Sequence, residues 1–221
     1  MKKILKLLKN IISEKKFLKS CLCFLGINII SYWSIKLFQN SPAGIHFSLD
    51  DKIPFIGQFV YIYNMFYPFC FIALYFLYKK DKNAYYKALF SSLIGIFICD
   101  LIYLISPTIM YRPPLPNTDP ITTFVLKITF YFDNPPMNCF PSIHCLFCFQ
   151  IIYSYIFSKT SKKQRKIAIA VSSLIILSTL FVKQHYIFDM ISALAITIIT
   201  NLITELFHFD HIINKKVNSK K

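Results

Sequence analysis

The sequence predicts an all-α membrane protein, a bundle of six transmembrane helices with both termini in the cytoplasm. Three observations predict this fold: the 221 residues are 55% hydrophobic, the apolar residues fall in long uncharged runs, and lysine clusters separate those runs. Soluble domains are normally about 45–50% apolar. The net charge of +15 would also suit a nucleic-acid-binding protein, but that function needs a basic face on a folded surface. The lysines lie between apolar segments instead, so we expect no nucleic-acid partner.

The predicted spans follow from the length of each apolar run, because a membrane helix needs about 20 mostly apolar residues. They cover residues 17–38, 58–78, 86–106, 142–157, 167–182 and 187–207. The first run follows a lysine-rich segment, as signal peptides do, but it is long and no small-residue cleavage site follows, so we expect it to be retained. No repeat or domain boundary interrupts the pattern. Residues 1–221 are therefore expected to form a single integral membrane domain.

The distribution of basic residues predicts the orientation of these spans. If the N-terminus is cytoplasmic and the six spans alternate, 20 of the 25 Lys and Arg residues lie on the cytoplasmic side, as the positive-inside rule requires. The predicted location is a plasma or cytoplasmic membrane. Two segments then face outwards, about 39–57 and about 107–141, and the second holds eight of the 11 prolines. A loop of that length in a small membrane protein is usually functional.

Three polar clusters lie at this predicted outer face. They are residues 111–113 after the third span, residues 138–144 at the start of the fourth, and residues 183–189 between the fifth and sixth. The spans were assigned from hydrophobicity alone, so the convergence of the clusters is an independent result. It predicts an extracytoplasmic active site.

His185 and Asp189 form the first candidate pair in these clusters. Residues four apart share one face of a helix, so the carboxylate would bind one imidazole nitrogen and leave the other free as a nucleophile. The alternative is a histidine and an aspartate that only cap membrane helices. Ionisable groups at membrane depth are costly and usually functional, which favours the catalytic interpretation.

The other clusters supply groups suited to a phosphate. Ser142 is a helix N-cap candidate, and a helix N-terminus favours anions, while His144 in the first turn could act as general acid and base. Arg112 offers a bidentate fork for phosphate oxygens, and Lys183 offers a second cation. Each has a simpler alternative: an interfacial histidine, or cations that anchor the helix ends. No Cys, His or carboxylate cluster has metal-ligand spacing, so we expect no metal and no cofactor.

Three further polar residues are candidate supporting groups. Asp100 lies inside the third predicted span, where it could pair with Arg112 or Lys127 or stay neutral. Asp133 could orient Arg112 or Lys183, or only form a turn. Asn138 opens the second cluster. Together the clusters contain what phosphoryl transfer through a phosphohistidine needs.

These motifs, in this order, resemble the three signatures of the type-2 phosphatidic acid phosphatase superfamily. The matching residues are Arg112-Pro113, Pro141-Ser142-Ile143-His144 and His185-x-x-x-Asp189, and the resemblance spans about residues 45–200. It implies six spans, an extracytoplasmic site and a phospholipid or polyprenyl phosphate as substrate. It also implies that His185 is the nucleophile, Asp189 its partner and His144 the acid, with Arg112 and Ser142 in contact with phosphate.

The sequence departs from the superfamily pattern at three positions. Ile105 and Thr179 stand where the signatures usually carry a lysine and an arginine, and Ile143 replaces a glycine. Residues 131–135 and 138–144, with the Lys183-Gln184-His185-Tyr186 run, look more like the branch that contains inositol phosphorylceramide synthases. The resemblance to that branch implies that a lysine before the His-Tyr pair supplies the missing charge, so we hypothesise that Lys183 replaces the arginine.

The leading functional prediction is a metal-independent lipid phosphatase that hydrolyses a phosphomonoester or diphosphate through a phosphohistidine. The first alternative is a phosphotransferase, in which a lipid hydroxyl or a polyol replaces water. The second is a non-catalytic membrane scaffold, which the two missing cations favour and the retained histidines and aspartate oppose. The oligomeric state is not predicted.

Overall fold

The computed structural model describes residues 9–38 and 43–207, and this part of the chain is helical without a β-strand. We number the helices α1 (Lys15–Leu37), α2 (Val60–Asn64), α3 (Phe66–Lys80), α4 (Lys82–Ile105), α5 (Pro120–Phe132), α6 (Ile143–Ile156), α7 (Lys162–Phe181) and α8 (Ile187–Leu206). The predicted all-α fold is confirmed for these residues. The first eight residues and the tail after Phe207, both predicted to be cytoplasmic, lie outside the described ranges.

Five helical segments are long and apolar enough to cross a membrane. They are α1, the combined segment Gly57–Lys80 that includes α2 and α3, α4, α7 and α8. The remaining predicted span forms α6, which has 14 residues. A helix of that length extends about 21 Å, compared with about 30 Å for the hydrocarbon core. The structure therefore supports five spans by length and composition.

Helix α6 lies at the centre of the bundle and packs against α3, α4, α7 and α8. Gly95 lets α4 approach closely, because a Cβ atom there would lie 3.0 Å from a methyl carbon of Leu146. Buried amides join α6 to α8: Gln150 donates to the Thr200 hydroxyl at 2.9 Å and accepts from Asn201 at 2.8 Å. Small residues and paired polar groups are the usual means of packing helices in a membrane.

The lysine-rich helix ends meet at one end of the bundle. The Lys79 ammonium donates to the Glu14 carboxylate at 2.6 Å, and the Asp81 carboxylate accepts the backbone N–H of Lys159 at 3.1 Å. Asp81 also caps α4 by accepting from the Ala84 N–H. The opposite end of the bundle therefore contains the C-terminal ends of α4 and α7 and the N-terminal end of α6. The three polar clusters lie next to these helix ends.

The segment expected to be one long outer loop contains a helix, α5. Asp119 caps it by accepting the backbone N–H groups of Ile121 and Thr122. The Thr122 hydroxyl, which donates to the same carboxylate at 2.6 Å, and then these backbone groups hold the pKa of the Asp119 carboxyl below its usual value. Its exposed side is apolar and includes Phe124 and Phe132. Sequence analysis missed this helix because 13 residues are too few for a span and the surrounding prolines indicated irregular chain.

Candidate active site

The imidazole of His185 is held in one tautomer by two acceptors. Its Nδ1 atom lies 3.0 Å from the carbonyl oxygen of Cys139 and 3.2 Å from Oδ2 of Asp189. Neither partner has a proton to donate when the carboxyl is ionised, so Nδ1 carries the proton and Nε2 keeps its lone pair. His185 is 8% exposed and Asp189 1%. The lone pair is thus available for attack in a site largely shielded from water.

The local backbone differs from the helix face expected for this pair. His185 lies two residues before α8, in the turn that follows α7, and only Asp189 is helical. The carboxylate reaches back to the His185 ring and also accepts the backbone N–H of Tyr186 at 2.9 Å. The carbonyl of Thr179 accepts the N–H groups of both Gln184 and His185. These bonds fix the turn, and with it the ring of His185.

Ser142 caps α6, as predicted. Its hydroxyl accepts the backbone N–H of Cys145 at 3.2 Å, and its side chain is fully buried. Its own backbone N–H donates to the carbonyl of Asp189 at 3.2 Å. The start of α6 is therefore fastened directly to the residue that orients His185.

His144, in the first turn of α6, lies in an aromatic cage. Its Nε2 shares a hydrogen bond of 3.3 Å with the Tyr63 hydroxyl, and its ring centroid lies 4.5 Å from that of Phe66. The His144 and His185 ring centroids are 5.7 Å apart. One phosphate group between rings this close can contact both of them, since hydrogen-bond reach is about 2.6–3.2 Å.

Arg112 connects the first cluster to the third. Its guanidinium donates to the Asp133 carboxylate, to the Asp133 carbonyl at 3.3 Å and to the side-chain carbonyl of Gln184 at 2.8 Å. It also lies over the ring of Phe130, with 4.4 Å between its central carbon and the ring centroid. Gln184 precedes His185, so the fork is held beside the nucleophile. The Nε atom of Arg112 has no hydrogen-bond partner among the described residues.

Lys183 is placed differently from the other predicted phosphate ligands. Its ammonium donates to the carbonyls of Asp50 at 3.1 Å and Ile53 at 2.6 Å, in the first outer segment. Burial lowers the pKa of the Lys183 ammonium, and the charges of Asp50 and Asp51 oppose that shift. In this arrangement the lysine connects two loops, and its role at phosphate stays a prediction.

Replacing Lys183 by methionine separates these two roles. We expect a lower melting temperature and a change of less than about threefold in KM, because the variant loses two hydrogen bonds, each of which contributes about 0.5–1.5 kcal/mol or more for a charged donor. Thermal unfolding in detergent and substrate titration measure the two effects. An unchanged melting temperature with a KM raised tenfold would instead assign the ammonium to phosphate.

The loop before α6 is held by Thr108, a residue that sequence analysis missed. Asn138 has a left-handed backbone, with φ of 60°, and its N–H donates to the carbonyl of Thr108 at 3.0 Å. The Thr108 hydroxyl accepts the N–H groups of Cys139 at 3.1 Å and Phe140 at 2.9 Å. Thr108 thereby positions the Cys139 carbonyl, which accepts a hydrogen bond from Nδ1–H of His185. No local signal marks Thr108, because its partners lie 30 residues away.

Asp100 lies apart from the clusters. Its side chain contacts the Ser31 hydroxyl of α1 rather than Arg112.

The two residues that stand where the superfamily usually has cations differ in exposure: Ile105 is 83% exposed, and Thr179 is fully buried. The Lys36 ammonium, which sequence analysis did not select, lies over the rings of Tyr32 and Trp33 and makes no hydrogen bond within the described residues.

A cavity of about 960 Å³ opens beside the two histidines. Its polar wall includes Asp133, Asn138, His144, Gln184 and His185, and the rest is mostly apolar. Within the described ranges no group of three His, Cys, Asp or Glu residues could hold a metal ion. The site thus places two imidazoles, one of them oriented, in the wall of an apolar cavity, and Arg112 binds two other residues of that wall, Asp133 and Gln184.

The chain matches a known protein family. A family model described as the PAP2 superfamily matches residues 36–203, well over half of the chain and all three clusters. No curated protein and no solved structure matches the chain. The superfamily comprises phosphatases and phosphotransferases, and some members act on lipid phosphates. The chain belongs to the PAP2 superfamily.

Proposed function

We propose that the protein is a lipid phosphatase that hydrolyses a phosphoester through a phosphohistidine on His185. The observation that carries this proposal is the pair of imidazoles with centroids 5.7 Å apart, one of which has Nδ1 held by Asp189 and the Cys139 carbonyl. A nucleophile oriented by an acceptor, with a second imidazole close enough to reach the same phosphate, is an arrangement suited to covalent catalysis.

The first step forms the N–P bond and breaks the P–O bond to the lipid. Nε2 of His185 attacks phosphorus, and protonated His144 gives its proton to the departing lipid oxygen, which leaves as an alcohol. In the second step neutral His144 takes a proton from water, the hydroxide attacks phosphorus, and the N–P bond breaks. His185 regains its lone pair, phosphate leaves, and His144 is again protonated.

The phosphoryl oxygens need positive partners during both steps. Arg112 is proposed to supply a fork of N–H donors, and its contacts with Asp133 and Gln184 keep it in place. The N-terminus of α6, at Ser142, directs backbone dipoles towards the same region. Preorganised donors of this kind are worth about 10²–10³ in rate each.

We also propose six spans, with α6 as the short fourth span, both termini in the cytoplasm and the site outside. The meeting of the lysine-rich ends of α3, α4 and α7 at the end opposite the histidines supports this orientation. Neighbouring helices shield α6, so it need not cover the full hydrocarbon thickness alone. Reporter fusions after residue 57 should report the outside and fusions after residue 160 the cytoplasm. The same side for both would refute α6 as a span, and the reverse assignment would refute the orientation.

A phosphotransferase is the second candidate, because residues 131–144 and 183–186 resemble the inositol phosphorylceramide synthase branch. The apolar wall of the cavity also favours it, since a lipid hydroxyl could take the place of water in the second step. The scaffold alternative predicts no turnover at all.

Phosphate release from a labelled panel tests the proposal. The panel comprises phosphatidate, phosphatidylglycerophosphate and a polyprenyl diphosphate, each with chelator and with or without a lipid alcohol. We expect free phosphate from at least one substrate, undiminished by chelator and inhibited by vanadate. Label found in a new lipid instead identifies the transferase. No release and no transfer from any substrate would reject both enzymes.

A further inference from the structure

The cavity continues far beyond the catalytic groups. It begins at His144 and His185 and extends to Leu77 and Tyr155, close to the lysine-rich end marked by Lys79. It therefore traverses most of the bundle. An apolar slot of this length beside a phosphate site suits the hydrocarbon chain of a lipid substrate.

Helix α1 forms one wall of this slot. Near the N-terminal end of α1, Phe17 is fully buried, and its ring contacts those of Phe71 and Tyr75. Towards the C-terminal end of α1, the Tyr32 hydroxyl lies 3.4 Å from Oδ1 of Asp133. Between them the ring of Phe24 contacts that of Phe147 in α6, with 5.3 Å between the ring centroids. Eight residues of α1 between Cys21 and Trp33 line the slot, among them Leu25, Asn28 and Tyr32.

Asn28 is the polar residue in the middle of this wall. Its amide nitrogen is buried and has no hydrogen-bond partner among the described residues. The nearby Ser31 hydroxyl donates to the backbone carbonyl of Asn28, so it does not satisfy the side chain. A buried amide donor without a partner costs about 1–3 kcal/mol, and at membrane depth few water molecules can replace the missing acceptor.

The distance of Asn28 from the phosphate site, measured along the slot, matches the position of an acyl carbonyl in a bound lipid. Tyr32 contacts Asp133, the partner of Arg112, so it marks the level of the phosphate site. Asn28 lies four residues earlier, about 6 Å further along the slot. An ester or amide carbonyl that links an acyl chain to a phospholipid backbone lies only a few bonds from phosphorus. A polyprenyl chain has no acceptor at that distance.

We propose that the amide of Asn28 donates a hydrogen bond to the acyl carbonyl of the substrate, and that the enzyme therefore selects acyl-linked phospholipids over polyprenyl phosphates. The inference rests on the proposed function and narrows its substrate class. Asn28 thereby acts as a specificity-determining residue, remote from the reacting atoms, and contributes to substrate binding through one neutral hydrogen bond.

Two lipids that differ only in the linkage test the proposal. The rate constant kcat/KM is measured for a diacyl phosphatidate and for its dialkyl ether analogue, which lacks both carbonyls, with farnesyl diphosphate as a third substrate. We expect the wild-type protein to prefer the ester roughly five- to tenfold, the effect of one hydrogen bond. Asn28→Leu should remove this preference and leave the ether and farnesyl rates unchanged.

Ser31→Ala is the matched control, because it removes a neighbouring hydroxyl that does not line the slot. It should keep the ester preference. Equal rates for ester and ether in the wild-type protein, a preference that survives in Asn28→Leu, or equal loss of all rates in that variant would each overturn the inference alone. No turnover of any of the three substrates by the wild-type protein would instead reject the proposed function.

Discussion

Replacing His185 by glutamine should lower phosphate release by at least roughly 10⁴-fold. The side chain keeps a polar group of similar size, but an amide has no nucleophilic nitrogen to attack phosphorus. Nδ1 of His185 is held by Asp189 and the Cys139 carbonyl, so only Nε2 can form the covalent bond. Inorganic phosphate released from phosphatidate measures the effect, and thermal unfolding checks that the variant folds.

His46 provides the matched control for this prediction. It forms a similar pair, with its Nε2 atom 2.9 Å from the Asp51 carboxylate, but its side chain is 43% exposed and does not line the cavity. His46→Gln should retain nearly full activity. Comparable losses in both variants would show that general damage to the outer loops, rather than loss of a nucleophile, explains the result.

The second large effect is expected at His144. His144→Gln should slow release from a lipid phosphate about 10²- to 10⁴-fold, the usual contribution of a general acid or base. The size should depend on the leaving group, because p-nitrophenolate departs without a proton and a lipid alkoxide does not. With p-nitrophenyl phosphate the first step should proceed nearly normally, while the second, which needs His144 as base, remains slow.

Rapid mixing measures this difference directly. The variant should give a burst of p-nitrophenol close to one equivalent per active site, followed by slow turnover. If the burst is absent and both substrates slow by the same factor, His144 does not act as the acid that protonates the leaving oxygen. It would then contribute through the aromatic cage formed with Tyr63 and Phe66.

Much of the bundle could be predicted from the sequence, because hydrophobic length and lysine position are local properties. The capping role of Ser142 was also predictable, since a helix begins directly after it. The proximity of His144 and His185 followed from topology, because helix ends at one face must lie near one another. These features depend only on the residue pattern and on the dimensions of a bilayer.

Other features depend on contacts between distant residues and could not be predicted. The Asp50 carboxylate accepts the N–H of Ile187 at 2.9 Å, 137 residues away, and thereby caps α8. No sequence pattern marks Gln184, whose side-chain carbonyl binds Arg112 in the structure. Motif spacing predicts that Lys183 binds phosphate. In the structure Lys183 has a left-handed backbone, with φ of 53°, and its ammonium binds the Asp50 and Ile53 carbonyls.

The most direct test of the account is to trap the covalent enzyme. His144→Gln protein is mixed with ³²P-labelled substrate, quenched under alkaline conditions that preserve phosphohistidine, and digested for peptide mapping. We predict label on the peptide that contains His185, and none when His185→Gln is added to the same chain. Label on another residue, or turnover by the wild-type protein without any trapped label, would contradict the covalent mechanism.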